Sequence, residues 1–122
     1  MTATPDLADR YLAAWNETDP TAREEALAQL FTDDVRYTDP LAAVEGRAAL
    51  DATIGAVQQQ FPGFGFRLAG PVDAHHDQLR FTWELGPADQ EAPIAGFDVA
   101  LVAGDGRIRL VLGFLDRVPA AV

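Results

Sequence analysis

The sequence predicts a single α+β domain over residues 1–122, with helices first and antiparallel strands after them. Three observations carry this. Apolar positions recur at helical spacing through the first half, the second half switches to period-two alternation, and clusters of Gly, Pro and Asp separate the alternating runs as hairpin turns do. A chain of 122 residues with 48% hydrophobic and 23% charged side chains is an ordinary globular composition, long enough for one core.

The first helix is expected from Asp6 to about Glu17, because Leu7, Tyr11, Ala14 and Trp15 fall on one face. Asp19-Pro20 is an N-cap followed by proline at the first helical position, and Ala22, Ala26, Leu27, Leu30 and Phe31 form the stripe of a second helix. Thr32-Asp33-Asp34 breaks that pattern. Val35 to Thr38 follows as a short strand that stops at Asp39-Pro40. Leu50, Ile54, Val57 and Phe61 mark a third helix, ended by Pro62-Gly63.

Phe64, Phe66 and Leu68, then Leu79, Phe81, Trp83 and Leu85, alternate with polar or small residues and predict two strands. Two more, from about Pro93 to Val102 and from Arg107 to Leu115, complete a four-stranded meander. Asp73 to Asp77 is a polar hairpin tip, and Ala103-Gly104-Asp105-Gly106 a tight turn. Phe97 to Val102 and Leu110 to Leu115 are nearly continuous apolar runs, so both faces of the sheet need cover. Helices can cover one; a second copy of the chain, in a homodimer, is the simplest cover for the outer one.

The net charge of −10 repels polyphosphates and argues against a nucleic-acid partner. Cysteine is absent, which removes disulfides, zinc–thiolate sites and a cysteine nucleophile. The run from Met1 to Asp6 has neither a basic nor an apolar stretch, and no segment is long and apolar enough to span a membrane, so no membrane partner and a cytoplasmic location are expected. His75 and His76 lie in the hairpin tip, and Glu24-Glu25 and Asp33-Asp34 lack a nearby histidine; no metal is expected.

The order of elements resembles the nuclear transport factor 2-like superfamily over nearly the whole chain. So do the segments Tyr11-Leu12-Ala13-Ala14-Trp15-Asn16, Phe31-Thr32-Asp33-Asp34-Val35, Thr38-Asp39-Pro40, Glu45-Gly46-Arg47-Ala48-Ala49-Leu50 and Gly104-Asp105-Gly106-Arg107-Ile108. The resemblance, to its SnoaL-like and ketosteroid isomerase-like members, implies a strongly curved sheet closed into a cone by three helices around an apolar pocket for a small hydrophobic molecule. That superfamily holds isomerases, polyketide cyclases, epoxide hydrolases, dehydratases and non-catalytic binding modules, so function must come from the pocket.

By resemblance to the steroid isomerases, the catalytic tyrosine, aspartate base and second aspartate fall on Tyr11, Asp39 and Asp98. Proton transfer beside a carbonyl needs a base and donors for the enolate oxygen. Asp39 is the implied base and Tyr11 one donor. Asp98, between Phe97 and Val99, is the implied second donor, kept neutral by its apolar surroundings. The expected pocket wall is Trp15, Ile54, Phe61, Trp83, Leu85, Ala100, Gly113 and Leu115, with Ile54 where those isomerases carry a supporting tyrosine and Trp83 restricting the room for a fused-ring ligand.

Structural readings stand beside the catalytic ones. Asp39 caps a turn, Tyr11 is a core aromatic, and Asp98 pairs with Arg109 or Arg47. The functions in play are a cofactor-free isomerase or cyclase, a non-catalytic ligand- or protein-binding module, and an epoxide hydrolase-like enzyme. The last requires an arginine in the pocket, from among Arg36, Arg67, Arg80 and Arg109.

Overall fold

The structure, a computed structural model, describes residues 2–119. Helices α1 (Asp6–Asn16) and α2 (Pro20–Leu30) lead into strands β1 (Phe31–Thr38) and β2 (Ala43–Glu45), then helix α3 (Arg47–Gln60). Strands β3 (Gly65–Leu68), β4 (Asp73–His75), β5 (Gln78–Gly86), β6 (Ile94–Val102) and β7 (Ile108–Arg117) follow. They form one curved mixed sheet in the order β2-β1-β7-β6-β5-β3, with β4 paired to β5. The expected meander is β3, β5, β6 and β7, antiparallel throughout, while β1 joins β7 in parallel. No described helix is long and apolar enough to cross a membrane.

The caps follow the sequence. Asp19 accepts a hydrogen bond from the Ala22 N–H at 2.9 Å, with Pro20 opening α2. Asn16, at the end of α1, lends its side-chain amide to the edge strand β3: it donates to the Phe66 carbonyl (2.9 Å) and accepts from the Phe66 N–H (2.7 Å). An exposed sheet edge is thereby closed by a side chain.

Three features differ from the sequence reading. The second helix ends before Thr32-Asp33-Asp34 as expected, but β1 begins at Phe31 rather than at Val35, so these residues belong to the strand and Phe31 is not on the helix stripe. The β1–β7 register slips between Phe31 and Arg36, which accommodates the polar stretch, and Asp33 is held by Arg47 at 2.6 Å. The short strands β2 and β4 were not foreseen; each exists through three backbone pairings, which need no apolar alternation.

The sheet register sorts the core. On the inner face the rows Leu79-Ala100-Val111, Phe81-Asp98-Gly113 and Trp83-Gly96-Leu115 lie side by side across β5, β6 and β7. The first row is sealed under the helices, with all three residues essentially inaccessible; the third opens toward solvent. Asp98 therefore stands where closed core becomes cavity.

Arg23 joins the three helices. Its buried guanidinium bonds Asp51 of α3 (2.6 Å), the Gln58 side-chain oxygen (2.9 Å) and the Glu17 carbonyl (3.1 Å). Gln58 in turn donates to the carbonyls of Trp15 and Glu17 at 2.9 and 2.8 Å, which satisfies orphan carbonyls at the end of α1.

Candidate functional site

A cavity of about 520 Å³ opens between α1, α3 and the inner face of the sheet. That volume lies within the usual range for small-molecule sites. Its wall is mainly hydrocarbon and aromatic. The polar groups are few: Tyr11, Tyr37, Asp39, Asp98, the Trp83 indole and Gln60. The exposed side chains of Leu41, Phe114 and Val118 mark the mouth.

Helix periodicity delivers Tyr11 to this wall, packed edge-on against Phe81 (centroids 5.3 Å apart) and Phe31 (6.0 Å). Strand alternation delivers Asp98, which is only 3% exposed. Burial pushes its carboxyl up to about 6; the Trp83 indole and Tyr11 hydroxyl beside it oppose that rise, and the Asp39 charge adds to it. The Trp83 contact falls short of a hydrogen bond, since Trp83 Nε1 is buried without a partner, as is Trp15 Nε1. Burial, reinforced by the Asp98 charge, raises the Tyr11 hydroxyl well above its ordinary range.

Asp39 is held by three donors. Its Oδ1 accepts from the N–H groups of Leu41 and Ala42, both at 2.8 Å, so the turn after Pro40 is capped as a local reading of the sequence expects. Its Oδ2 accepts from the Tyr37 hydroxyl at 2.6 Å. Turn cap and cavity wall are thus one residue. Burial, with the Asp39 hydrogen bond next, raises the Tyr37 hydroxyl far above the ordinary range.

Gly113 explains how the two aspartates come together. It pairs with Asp98 across β6 and β7, and the parallel β1–β7 pairing brings the end of β1 alongside it. A Cβ at Gly113 would lie 2.8 Å from Asp98 Oδ1 and 3.3 Å from Asp39 Cβ.

Of the expected wall residues, Trp15, Phe61, Trp83, Leu85 and Leu115 line the cavity together with Tyr11, Asp39 and Asp98. Ile54 and Ala100 do not. Both are fully buried, Ile54 on the inner face of α3 and Ala100 in the sealed row of the sheet, so they face inward without reaching the cavity. Gly113 contributes space rather than surface. Trp83 lines the cavity with its indole packed against Gly96, where a Cβ would be 2.1 Å from Cζ2. Tyr37 was overlooked, although it stands two residues before Asp39 and strand alternation puts both on one face.

Neither arginine considered for Asp98 reaches it: Arg47 pairs with Asp33 and Arg109 with Asp77 (3.7 Å). Nor does any arginine line the cavity. Arg36, Arg67 and Arg80 pair with Glu45, Glu84 and Asp73, so the arrangement an epoxide hydrolase-like mechanism needs is not assembled. His75 and His76 remain in the β4–β5 hairpin, away from this wall.

Residues 8–111 match the SnoaL-like domain family. A solved SnoaL-like family protein from Agrobacterium tumefaciens str. C58, inferred to be an isomerase, is 43% identical; the alignment covers 90% of this chain and 94% of that one, with a TM-score of 0.86. Two more distant structures share the fold. One, from Kribbella flavida DSM 17836 and inferred to be a ketosteroid isomerase, is 22% identical over 97% of this chain and 81% of that one, at a TM-score of 0.70. The other, from Sinorhizobium meliloti and inferred to be a polyketide cyclase, is 17% identical over 93% and 95%, at 0.70. Among curated proteins none matches. With a family match across most of its length and a solved relative at this identity, the chain belongs to the SnoaL-like family of the nuclear transport factor 2-like superfamily.

Proposed function

We propose that the protein carries out a cofactor-free proton transfer next to the carbonyl of a small hydrophobic substrate, as an isomerase or a cyclase does. Asp39 removes the proton. Tyr11 and the neutral form of Asp98 donate hydrogen bonds to the oxygen on which enolate charge develops. The observation that carries this reading is that all three side chains border one cavity, with no cation beside Asp98 among the described residues to hold it ionised. Two of the structural relatives, inferred to be isomerases, are consistent with it.

Asp98 sets the working range. With its carboxyl pushed up to about 6, the donor form predominates below that pH and is lost above it. The decisive experiment is Asp39→Asn assayed with a small cyclic β,γ-enone. Turnover is expected to fall about a thousandfold while binding changes little. Undiminished turnover removes Asp39 as the base; a parent protein that binds the enone without turning it over leaves a non-catalytic binding module.

A cytoplasmic homodimer is the form in which we expect it to work. The rows Thr82-Phe97-Phe114, Arg80-Val99-Leu112 and Gln78-Leu101-Leu110 cross the outer face of the sheet, where Leu112 is exposed and Phe114 stands at the rim, next to the cavity mouth. Such a contiguous apolar strip supports a second copy as its cover.

A further inference from the structure

We propose that the same cavity binds a hydrophobic ammonium ion, its charged head at Asp98 and Asp39 and its hydrocarbon body along the apolar wall toward the mouth. This goes beyond proton transfer and does not require it.

The first ground is an uncompensated charge. A carboxylate as buried as Asp98 ordinarily has a cationic partner or a full set of hydrogen bonds. All nine basic residues are arginines, and none lines the cavity. Asp98 has a tyrosine hydroxyl and an indole beside it, and a second carboxylate nearby across Gly113. Two acids facing one low-dielectric space create a negative potential that a bound cation relieves and an anion worsens.

The wall supplies the second ground. Tyr11, Trp15, Tyr37, Phe61, Phe66 and Trp83 all border the cavity, and the faces of such rings attract an ammonium group. Toward the open row, Leu85, Ile94 and Leu115 offer hydrocarbon contact for the rest of the ligand. A cluster of aromatic rings around paired carboxylates, with no basic side chain among them, is the chemistry that recognises an organic cation rather than a phosphate, a carboxylate or a sugar.

The groups facing Asp98 are Tyr11 from α1, Trp83 from β5, Tyr37 from β1 and Asp39 after it. Both tyrosine hydroxyls are pushed upward and stay neutral, which leaves Asp98 as the group that titrates there. Ammonium binding therefore strengthens as pH rises through about 6, opposite to the trend of enolate chemistry.

Three probes with one skeleton test this: cyclohexylmethylamine, cyclohexylmethanol and cyclohexanecarboxylate, with binding to the full chain followed by calorimetry and by tryptophan fluorescence. Both tryptophans, Trp15 and Trp83, border the site. At pH 8 the amine is expected to bind at least tenfold more tightly than the alcohol, with the carboxylate weakest. The advantage should shrink below pH 6. Asp98→Asn should weaken the amine at least tenfold and the alcohol far less, so that the amine's advantage is lost; a near-ultraviolet circular dichroism spectrum like the parent's shows an intact cavity, and Asp39→Asn provides a second test of the same kind. Equal affinities, no amine binding, or an amine preference that survives both substitutions overturns the proposal. Enone turnover without amine preference defeats this inference alone. Amine preference without turnover defeats the catalytic reading alone.

Discussion

Gly113 and Asp98 face each other across β6 and β7 with no room for a side chain between them: a Cβ at Gly113 would sit 2.8 Å from Asp98 Oδ1. Asp98 has Tyr11 and Trp83 beside it, so making room for that Cβ means turning its carboxyl away from them. Gly113→Ala is therefore an overpacking change and is expected to cost about 1–3 kcal/mol of stability. It should also weaken ligand binding by turning the Asp98 carboxyl. Chemical denaturation and a ligand titration check both; a variant as stable as the parent would show that the space between the strands is looser than described.

Asp98 makes stability depend on pH in a definite direction. Its carboxyl titrates at about 6 in the folded chain against an ordinary 3.8, so between those values the folded state holds a proton the unfolded chain has lost. Its favourable contribution is complete below pH 4 and disappears as pH rises through 6. About two pH units correspond to roughly 3 kcal/mol. Asp98→Asn lacks this term, so the variant is expected to gain that much on the parent between pH 4 and pH 7.5, read from denaturation midpoints at each pH. Parallel curves for the two proteins would refute the assignment.

What the sequence made legible follows from distance along the chain. Tyr11 and Asp98 could be aimed inward because helix and strand periods fix facing, and the resemblance brought Asp39 to the same pocket. Depth was harder. Ala100 and Leu115 both point inward, yet one lies in the sealed row and the other in the open row, and no local pattern records which end of the sheet the helices cover. Ile54 failed for the same reason. Tyr37 was within reach, since period two ties it to Asp39. The Arg23–Asp51–Gln58 junction was not, because it joins residues on different helices whose packing is set by the whole fold.

That junction is the next quantity to measure. The Arg23 side chain is 8% exposed and holds Asp51, Gln58 and the Glu17 carbonyl, whereas Asp51 is 35% exposed and regains water if its partner is lost. Arg23→Met keeps the packing volume and removes the donors, with an expected loss of about 2–3 kcal/mol, below the cost of a fully buried broken pair. A denaturant midpoint within error of the parent would mean that the junction contributes nothing net.

Gly96 governs the size of the cavity. Trp83 lies across it, with Cζ2 2.1 Å and Cε2 2.6 Å from where a Cβ would be, and the Phe114 carbonyl is 2.7 Å away on the neighbouring strand. The strand cannot yield as easily as the ring, so Gly96→Ala lifts the indole into the cavity. Ligand affinity should fall at least tenfold, and the Trp83 emission should change because its ring leaves the sheet. Unchanged emission and affinity would place the indole elsewhere.

The outer face makes its own prediction, independent of the cavity. Val99 and Leu112 are cross-strand partners at the centre of the apolar strip, and neither lines the cavity. In a two-fold dimer each substitution enters the interface twice, so Val99→Glu with Leu112→Glu brings four carboxylates into one apolar contact. Desolvating them costs more than the strip gains by burial. The parent is expected to run as a dimer in size-exclusion chromatography at micromolar concentration and the double variant as a folded monomer. A monomeric parent would leave the strip without a second copy to cover it.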